Sequence, residues 1–162
     1  MNKEIALFLQ ANDKVVNLKN VSNINIINDK RIIFNMNYNI EITYFDKTAR
    51  TEKTKLISDY VYWDAKDSQE MVKNLENIKK FKYFNDNFIN QGIGNGFINK
   101  NEISSVKFAD VKNRVIFNLS HPVTFVDFNG KEKITSEFVY VNCLSLEQFK
   151  LYSEYVVDEL KL

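Results

Sequence analysis

Hydrophobic and polar residues alternate most regularly between Ile32 and Ile42. Ile32, Phe34, Met36, Tyr38, Ile40 and Ile42 fall on one side of an extended chain, with Asn35, Asn37, Asn39 and Glu41 on the other. Strand side chains point to alternate faces, so this period predicts a strand with one covered and one wetter face, as in an antiparallel sheet. The pattern returns later in the chain. Val115, Phe117, Leu119, His121, Val123 and Phe125 oppose Asn118, Ser120, Pro122 and Thr124.

This echo belongs to a longer one. Val15-Val16-Asn17 matches Phe97-Ile98-Asn99, and Val21-Ser22-Asn23-Ile24 matches Ile103-Ser104-Ser105-Val106. Arg31 to Met36 matches Arg114 to Leu119, and Ser58-Asp59-Tyr60-Val61-Tyr62 matches Ser136-Glu137-Phe138-Val139-Tyr140. The blocks keep their order, and length changes fall in turns, which marks an internal repeat. Turn signals stand at Asn28-Asp29-Lys30, Lys112-Asn113 and Asn129-Gly130. Each copy therefore reads as four strands and a helix. The fourth strand is apolar on both faces, with Tyr60 and Tyr62 against Val61 and Trp63, which predicts a central or doubly covered strand.

The closing helices carry start signals. Asp67-x-x-Glu70 and Ser145-x-x-Gln148 are capping-box patterns, in which side chains satisfy otherwise orphan backbone N–H groups. Met71, Leu75, Ile78 and Lys82 trace one helix face, and Phe149, Tyr152, Val156 and Leu160 trace the other. The expected organisation is an N-terminal segment (1–14), a first ββββα repeat (15–82), a connector (83–96) and a second ββββα repeat (97–162). Residues 1–12 suit a short helix or an edge strand equally. The fold class expected is α+β: two antiparallel four-stranded sheets, each followed by a helix, related by an approximate twofold axis.

Composition narrows the function classes. In 162 residues the chain has 44% hydrophobic and 14% aromatic content, enough for a packed core, and a formal net charge of +1. No global excess of either sign announces a nucleic-acid partner or a nucleic-acid mimic. Cys143 is the single cysteine, so no intramolecular disulfide or cysteine-based zinc site can form. The longest apolar run, Ile5 to Leu9, is too short to span a bilayer. These features predict a cytoplasmic chain without membrane contact, and they leave self-association open.

Catalytic chemistry finds little footing. The lone histidine, His121, occupies the strand position matched by Tyr38 and reads as structural. One His and one Cys cannot assemble a metal site, and the carboxylates are scattered among lysines. Gly92-x-Gly94-x-Gly96 leads into a strand, whereas a dinucleotide fingerprint opens a helix, so it reads as a linker. The expectation is a non-enzyme with no catalytic residue, no cofactor and no metal.

Charge differs between the copies. Residues 15–82 hold 12 Lys+Arg and 9 Asp+Glu, a net of +3, whereas residues 97–162 hold 8 and 9, a net of −1. Lys47, Arg50, Lys53 and Lys55 gather around the third-to-fourth strand loop. Beside Tyr60 they suit phosphate contact and base stacking on a single strand.

One motif carries a resemblance. Leu144-Ser145-Leu146-Glu147-Gln148-Phe149-Lys150-Leu151 follows the strand Phe138–Asn142 and closes the second unit. It resembles the end of the positive-cofactor transcriptional coactivator family, and two such units in one chain are similar to the Whirly architecture. The resemblance covers most of both copies in topology but about eight residues in motif, and the first copy lacks the Glu-Gln-aromatic run. It implies non-catalytic binding of single-stranded nucleic acid on a curved sheet. The alternative reading is a protein-interaction or inhibitor module, of the kind phages and mobile elements encode, suggested by near-neutral charge and faces rich in Asn and Tyr.

Overall fold

The computed structural model describes residues 6–92, 95–126 and 133–162, with side chains omitted at 42, 56–58, 122–126 and 133–137. The chain is α+β and mostly antiparallel. Strands β1 (Phe8–Ala11) and β2 (Lys14–Asn17) form a small hairpin, followed by β3 (Val21–Ile27), β4 (Arg31–Asp46) and β5 (Thr51–Asp64). Helices α1 (Ser68–Lys79) and α2 (Lys82–Asn87) lead to β6 (Phe88–Asn90) and β7 (Gly96–Asn99). The rest comprises β8 (Ile103–Ala109), β9 (Arg114–Val126), β10 (Lys133–Asn142) and α3 (Leu146–Leu160). The N-terminal segment thus supplies a strand, and the stretch read as a connector carries α2 and β6.

The strands do not sort into two sheets of four. They form a five-stranded sheet ordered β5-β4-β3-β7-β6, a three-stranded sheet ordered β10-β9-β8, and the β1-β2 hairpin. Asn23 pairs with Ile98 and Ile24 with Phe97, so β7 joins the sheet of the first stretch. Gly96 makes this approach feasible. Its φ is +132°, and a Cβ there would lie 1.8 Å from the Ile24 carbonyl oxygen.

Local details recur even where the sheets differ. Asn17 and Asn99 each accept a backbone N–H two residues on, from Lys19 and Asn101, and each opens a single 3₁₀ turn before the next strand. Ser22 and Ser104 donate to the carbonyls of Asn35 and Asn118. Ala65 N–H bonds Lys30 O, and Cys143 N–H bonds Asn113 O. Both N-caps form, with the returning bond reaching the N–H of the residue before the cap and not that of the cap itself. Asp67 accepts from Glu70 N–H while Glu70 accepts from Lys66 N–H, and Ser145 accepts from Gln148 N–H while Gln148 accepts from Leu144 N–H.

Two hydrophobic cores result. Ile24, Ile32, Phe34, Met36 and Trp63 face Met71, Ile78, Phe84 and the β1-β2 hairpin on one side of the five-stranded sheet. Ile89 and Ile98 face Val115, Phe117, Leu119, Val139, Val141, Phe149 and Val156 on the other. Complete burial of a Phe or Ile side chain contributes about 1.5–3 kcal/mol, so Phe34 and Phe117 anchor one core each.

Double coverage overturns one expectation and meets one branch of another. The polar face of β4 is not wetter at its start, because Ile33 and Asn35 are fully buried. Their strand neighbours continue the layer as a chain of amides. Asn35 Nδ2 donates to Asn23 Oδ1 (2.9 Å), and Asn23 Nδ2 to Asn25 Oδ1 (3.1 Å). Strand β5 is an edge strand, not a central one, and at its Tyr60–Trp63 end both faces are covered: Trp63 is buried and Tyr60 and Tyr62 are half-buried. Strand β9 runs against β3, β4 and β5.

The regular face of β4 also breaks. Between Asn35 and Asn39 the strand carries extra residues against β5, which has only Asp59 between Tyr60 and Ser58. Such a bulge bends and twists the strand. Tyr38 is consequently 43% exposed, and its hydroxyl donates to Asp59 Oδ2 at 2.9 Å. Beyond the bulge, β4 and β5 continue as a two-stranded ribbon.

Candidate nucleic-acid interface

Of the residues singled out from sequence, Lys47, Arg50, Lys53 and Lys55 lie on this ribbon, whereas Tyr60 pairs with Asn35 inside the five-stranded sheet, so they are not gathered on one surface. Lys47 and Arg50 stand in the exposed turn between β4 and β5, with Arg50 at a φ of +53°. Lys53 Nζ is 2.7 Å from Asp46 Oδ2. That contact, with the Ala49 and Thr48 N–H groups, holds the Asp46 carboxyl below its ordinary value. Lys55 Nζ lies 5.1 Å from the centre of the Tyr44 ring, a cation–π distance. Alternation along β5 puts Lys53 and Lys55 on the side of Val61 and Trp63, and Tyr60 on the opposite side. Tyr60 stacks on Tyr62, with ring centres 4.9 Å apart. The Tyr62 hydroxyl is raised above its ordinary value, first by burial and then by its hydrogen bond with Tyr60.

Sequence reasoning passed over a different surface, the outer face of the three-stranded sheet. Register fixes its layout as three rows: Ser105, Asn118 and Phe138; Lys107, Ile116 and Tyr140; Ala109, Arg114 and Asn142. Its opposite face, with Val115, Phe117, Val139 and Val141, belongs to the second core. Phe138 and Tyr140 are 45% and 44% exposed, and their rings stack at 6.0 Å with a 25° tilt. The Arg114 guanidinium sits 4.3 Å from the Tyr140 ring centre and donates to Asn142 Oδ1 at 2.6 Å. Ser105 and Lys107 are exposed. The signal for this surface was present in the match of Phe138-x-Tyr140 with Tyr60-x-Tyr62, but the pattern could not reveal which pair is covered.

A cleft of about 590 Å³ opens beside the end of β10. Val141, Cys143, Leu144, Leu151 and Tyr152 line it, with Gln148 and Asn142 among its polar groups. Leu144 is 91% exposed and Leu151 62%. Burial raises the Cys143 thiol above its ordinary value, which leaves less reactive thiolate at neutral pH. The Tyr152 hydroxyl is raised by burial as well, and it donates to Asn90 O at 2.6 Å, tying α3 to β6.

His121 lies at a third place. Its Nδ1 is 2.9 Å from Glu102 Oε2, and Asn37 Nδ2 donates to Oε1 of the same buried carboxylate at 3.0 Å. Among the described residues no group of three or more His, Cys, Asp or Glu is placed to hold a metal ion. Among them, too, no helix is long and apolar enough to cross a membrane.

No family model, curated protein or solved structure matches this chain.

Proposed function

We propose that this protein binds single-stranded nucleic acid without catalysing a reaction, and that the outer face of the three-stranded sheet is its platform. The observation that carries this reading is the exposed Phe138–Tyr140 stack with Arg114 over Tyr140. Bases stack on aromatic rings regardless of sequence, and cations beside the rings take the phosphates. None of the nine positions on that face is acidic. The ligand class is the one implied by the Whirly-type resemblance. Lys47, Arg50, Lys53 and Lys55 become an auxiliary arm in this reading, because their ribbon is basic but its charges are partly taken up by Asp46 and Tyr44, while Tyr60 belongs to the covered face of the five-stranded sheet.

We further infer that residues 15–82 and 97–162 descend from one duplicated ββββα unit. Support comes from the shared succession of strand, 3₁₀ turn, three strands and helix, and from the matching caps and bulges.

Fluorescence anisotropy with a labelled single-stranded oligonucleotide tests the binding reading. The expected result is binding at low salt that weakens as salt rises, and a loss of at least about tenfold in the double variant F138A/Y140A, given about 1–3 kcal/mol per stacked base. No binding at low salt would overturn it. The alternative, a protein-interaction or inhibitor module, is favoured by exposed Leu144 and Leu151 on the cleft. Partners that survive nuclease treatment and are lost in L144S/L151S would support that alternative instead.

A further inference from the structure

The two sheets present the same face in different states. In the first stretch the rows are Asn23, Asn35 and Tyr60; Asn25, Ile33 and Tyr62; Ile27, Arg31 and Asp64. Position by position they correspond to the rows ending in Phe138, Tyr140 and Asn142. The first face is covered, with Asn23, Asn25, Ile33 and Asn35 buried. The second is open. Each has a guanidinium over the middle aromatic ring, Arg31 at 4.5 Å from Tyr62 and Arg114 at 4.3 Å from Tyr140.

The charge around those guanidiniums differs. Arg31 makes a two-pronged contact with the Asp64 carboxylate, Nε to Oδ1 at 2.6 Å and Nη2 to Oδ2 at 3.0 Å. That bond raises the Arg31 pKa and cancels its charge locally. At the equivalent place Arg114 meets the neutral amide of Asn142, and among the described residues no carboxylate pairs with it. The middle row differs too, since Lys107 stands where the first face has Asn25. The covered face is therefore neutral in sum, whereas the open face carries two positive charges, those of Lys107 and Arg114.

We propose that Asn142 and Lys107 set the open face for a phosphodiester strand: the amide holds the Arg114 guanidinium over Tyr140 without neutralising it, so that Arg114 and Lys107 each take a phosphate while bases stack on Phe138 and Tyr140. A covered face gains from cancelling its charge, because a buried unpaired cation is costly. An open face that binds a polyanion gains from the reverse, since each phosphate neutralised releases counterions. This inference rests on the binding reading above and adds a determinant to it. Asn142 is a positioning residue, and Arg114 and Lys107 are the contacts.

The test compares four proteins by anisotropy with a labelled oligothymidylate across a salt series, with circular dichroism melting as the control for folding. N142D restores the carboxylate seen beside Arg31. It is expected to bind at least about tenfold more weakly, with the slope of log affinity against log salt shallower by about one. N142A, which removes the holding amide without adding charge, is expected to weaken binding by only about two- to threefold and to leave the salt slope unchanged. D64N, made on the covered face, is expected to leave binding unchanged. Wild-type binding with N142D equal to it would overturn this inference alone. Equal losses in N142D and N142A would also overturn it, because they would make the role of Asn142 structural. Absence of wild-type binding at low salt would overturn both the inference and the function it rests on.

Discussion

At the scale of single residues, Glu102 shows how a buried charge is tolerated here. It is 7% exposed, and both carboxylate oxygens are occupied, one by Asn37 from β4 and one by His121 from β9. The contact ties the two sheets together through one side chain. Replacing it with an apolar residue removes both contacts; His121 is 43% exposed and can turn to water, whereas the half-buried Asn37 amide loses its partner, at a cost of roughly 1 kcal/mol or more. E102L is therefore expected to lose about 1 kcal/mol or more in urea unfolding, and E102Q less, because the amide still accepts from Asn37. A loss below about 0.5 kcal/mol in E102L would contradict this account. Sequence gave His121 a structural role but no partner. Glu102 lies in a short 3₁₀ turn with no periodic pattern, so nothing along the chain marked it as buried.

At the scale of elements, patterns that depend on near neighbours were legible and those that depend on distant packing were not. The caps at Asp67 and Ser145 need only three or four residues, and each accepts from the N–H three residues on as its spacing predicts, while the returning bond falls one residue earlier than in a capping box. The turn at Asn28 to Lys30 is equally local, with Asn28 and Asp29 both at positive φ. Asn129-Gly130 lies outside the described residues. The face of β4 failed at Tyr38 because a bulge is a property of the strand pair, and its extra residues leave no trace in one strand's alternation. Asn35 read as solvent-facing because amides usually are, whereas here β9 covers it. The ribbon beyond the bulge is held at its tip by Asp46, whose carboxylate accepts from Thr48 and Ala49 N–H groups and pairs with Lys53. Because those partners depress its pKa, the tip contact persists below the ordinary titration range of aspartate and is lost as pH falls through the lowered value. The Thr48 and Ala49 amide proton shifts should follow a single titration with a midpoint below that of a free aspartate. A midpoint at or above that of free aspartate would contradict the geometry.

At the scale of the whole molecule, the repeated succession of elements was legible, but the way the strands are shared was not. Four strands in each stretch suggested two equal sheets. Instead β2 pairs with β1, and β7 crosses to pair with β3 and β6, so the sheets have five, three and two strands. The reason is that partner choice for an edge strand is set by what can be buried beside it, and Gly96 lets β7 lie against β3 where a side chain would collide with the Ile24 carbonyl. An approximate twofold axis would cover the equivalent faces alike. Here the face with Tyr60 and Tyr62 is covered, whereas the one with Phe138 and Tyr140 is open. That inequality moves the candidate site from the ribbon of the first stretch, where the sequence placed it, to the second sheet, despite the second stretch's negative formal charge. The local arrangement of Lys107, Arg114 and Asn142 outweighs the net charge of the segment, because phosphate contacts at 0.1 M salt are screened beyond about 10 Å.

The most direct measurement is an amide correlation spectrum of the isotopically labelled protein, recorded as an oligothymidylate is added at low salt. The account predicts shifts concentrated at residues 105–109, 114–118 and 138–142, with smaller changes on the ribbon at residues 47–55. A spectrum that does not change, or one that changes only around Leu144 and Leu151, would contradict it.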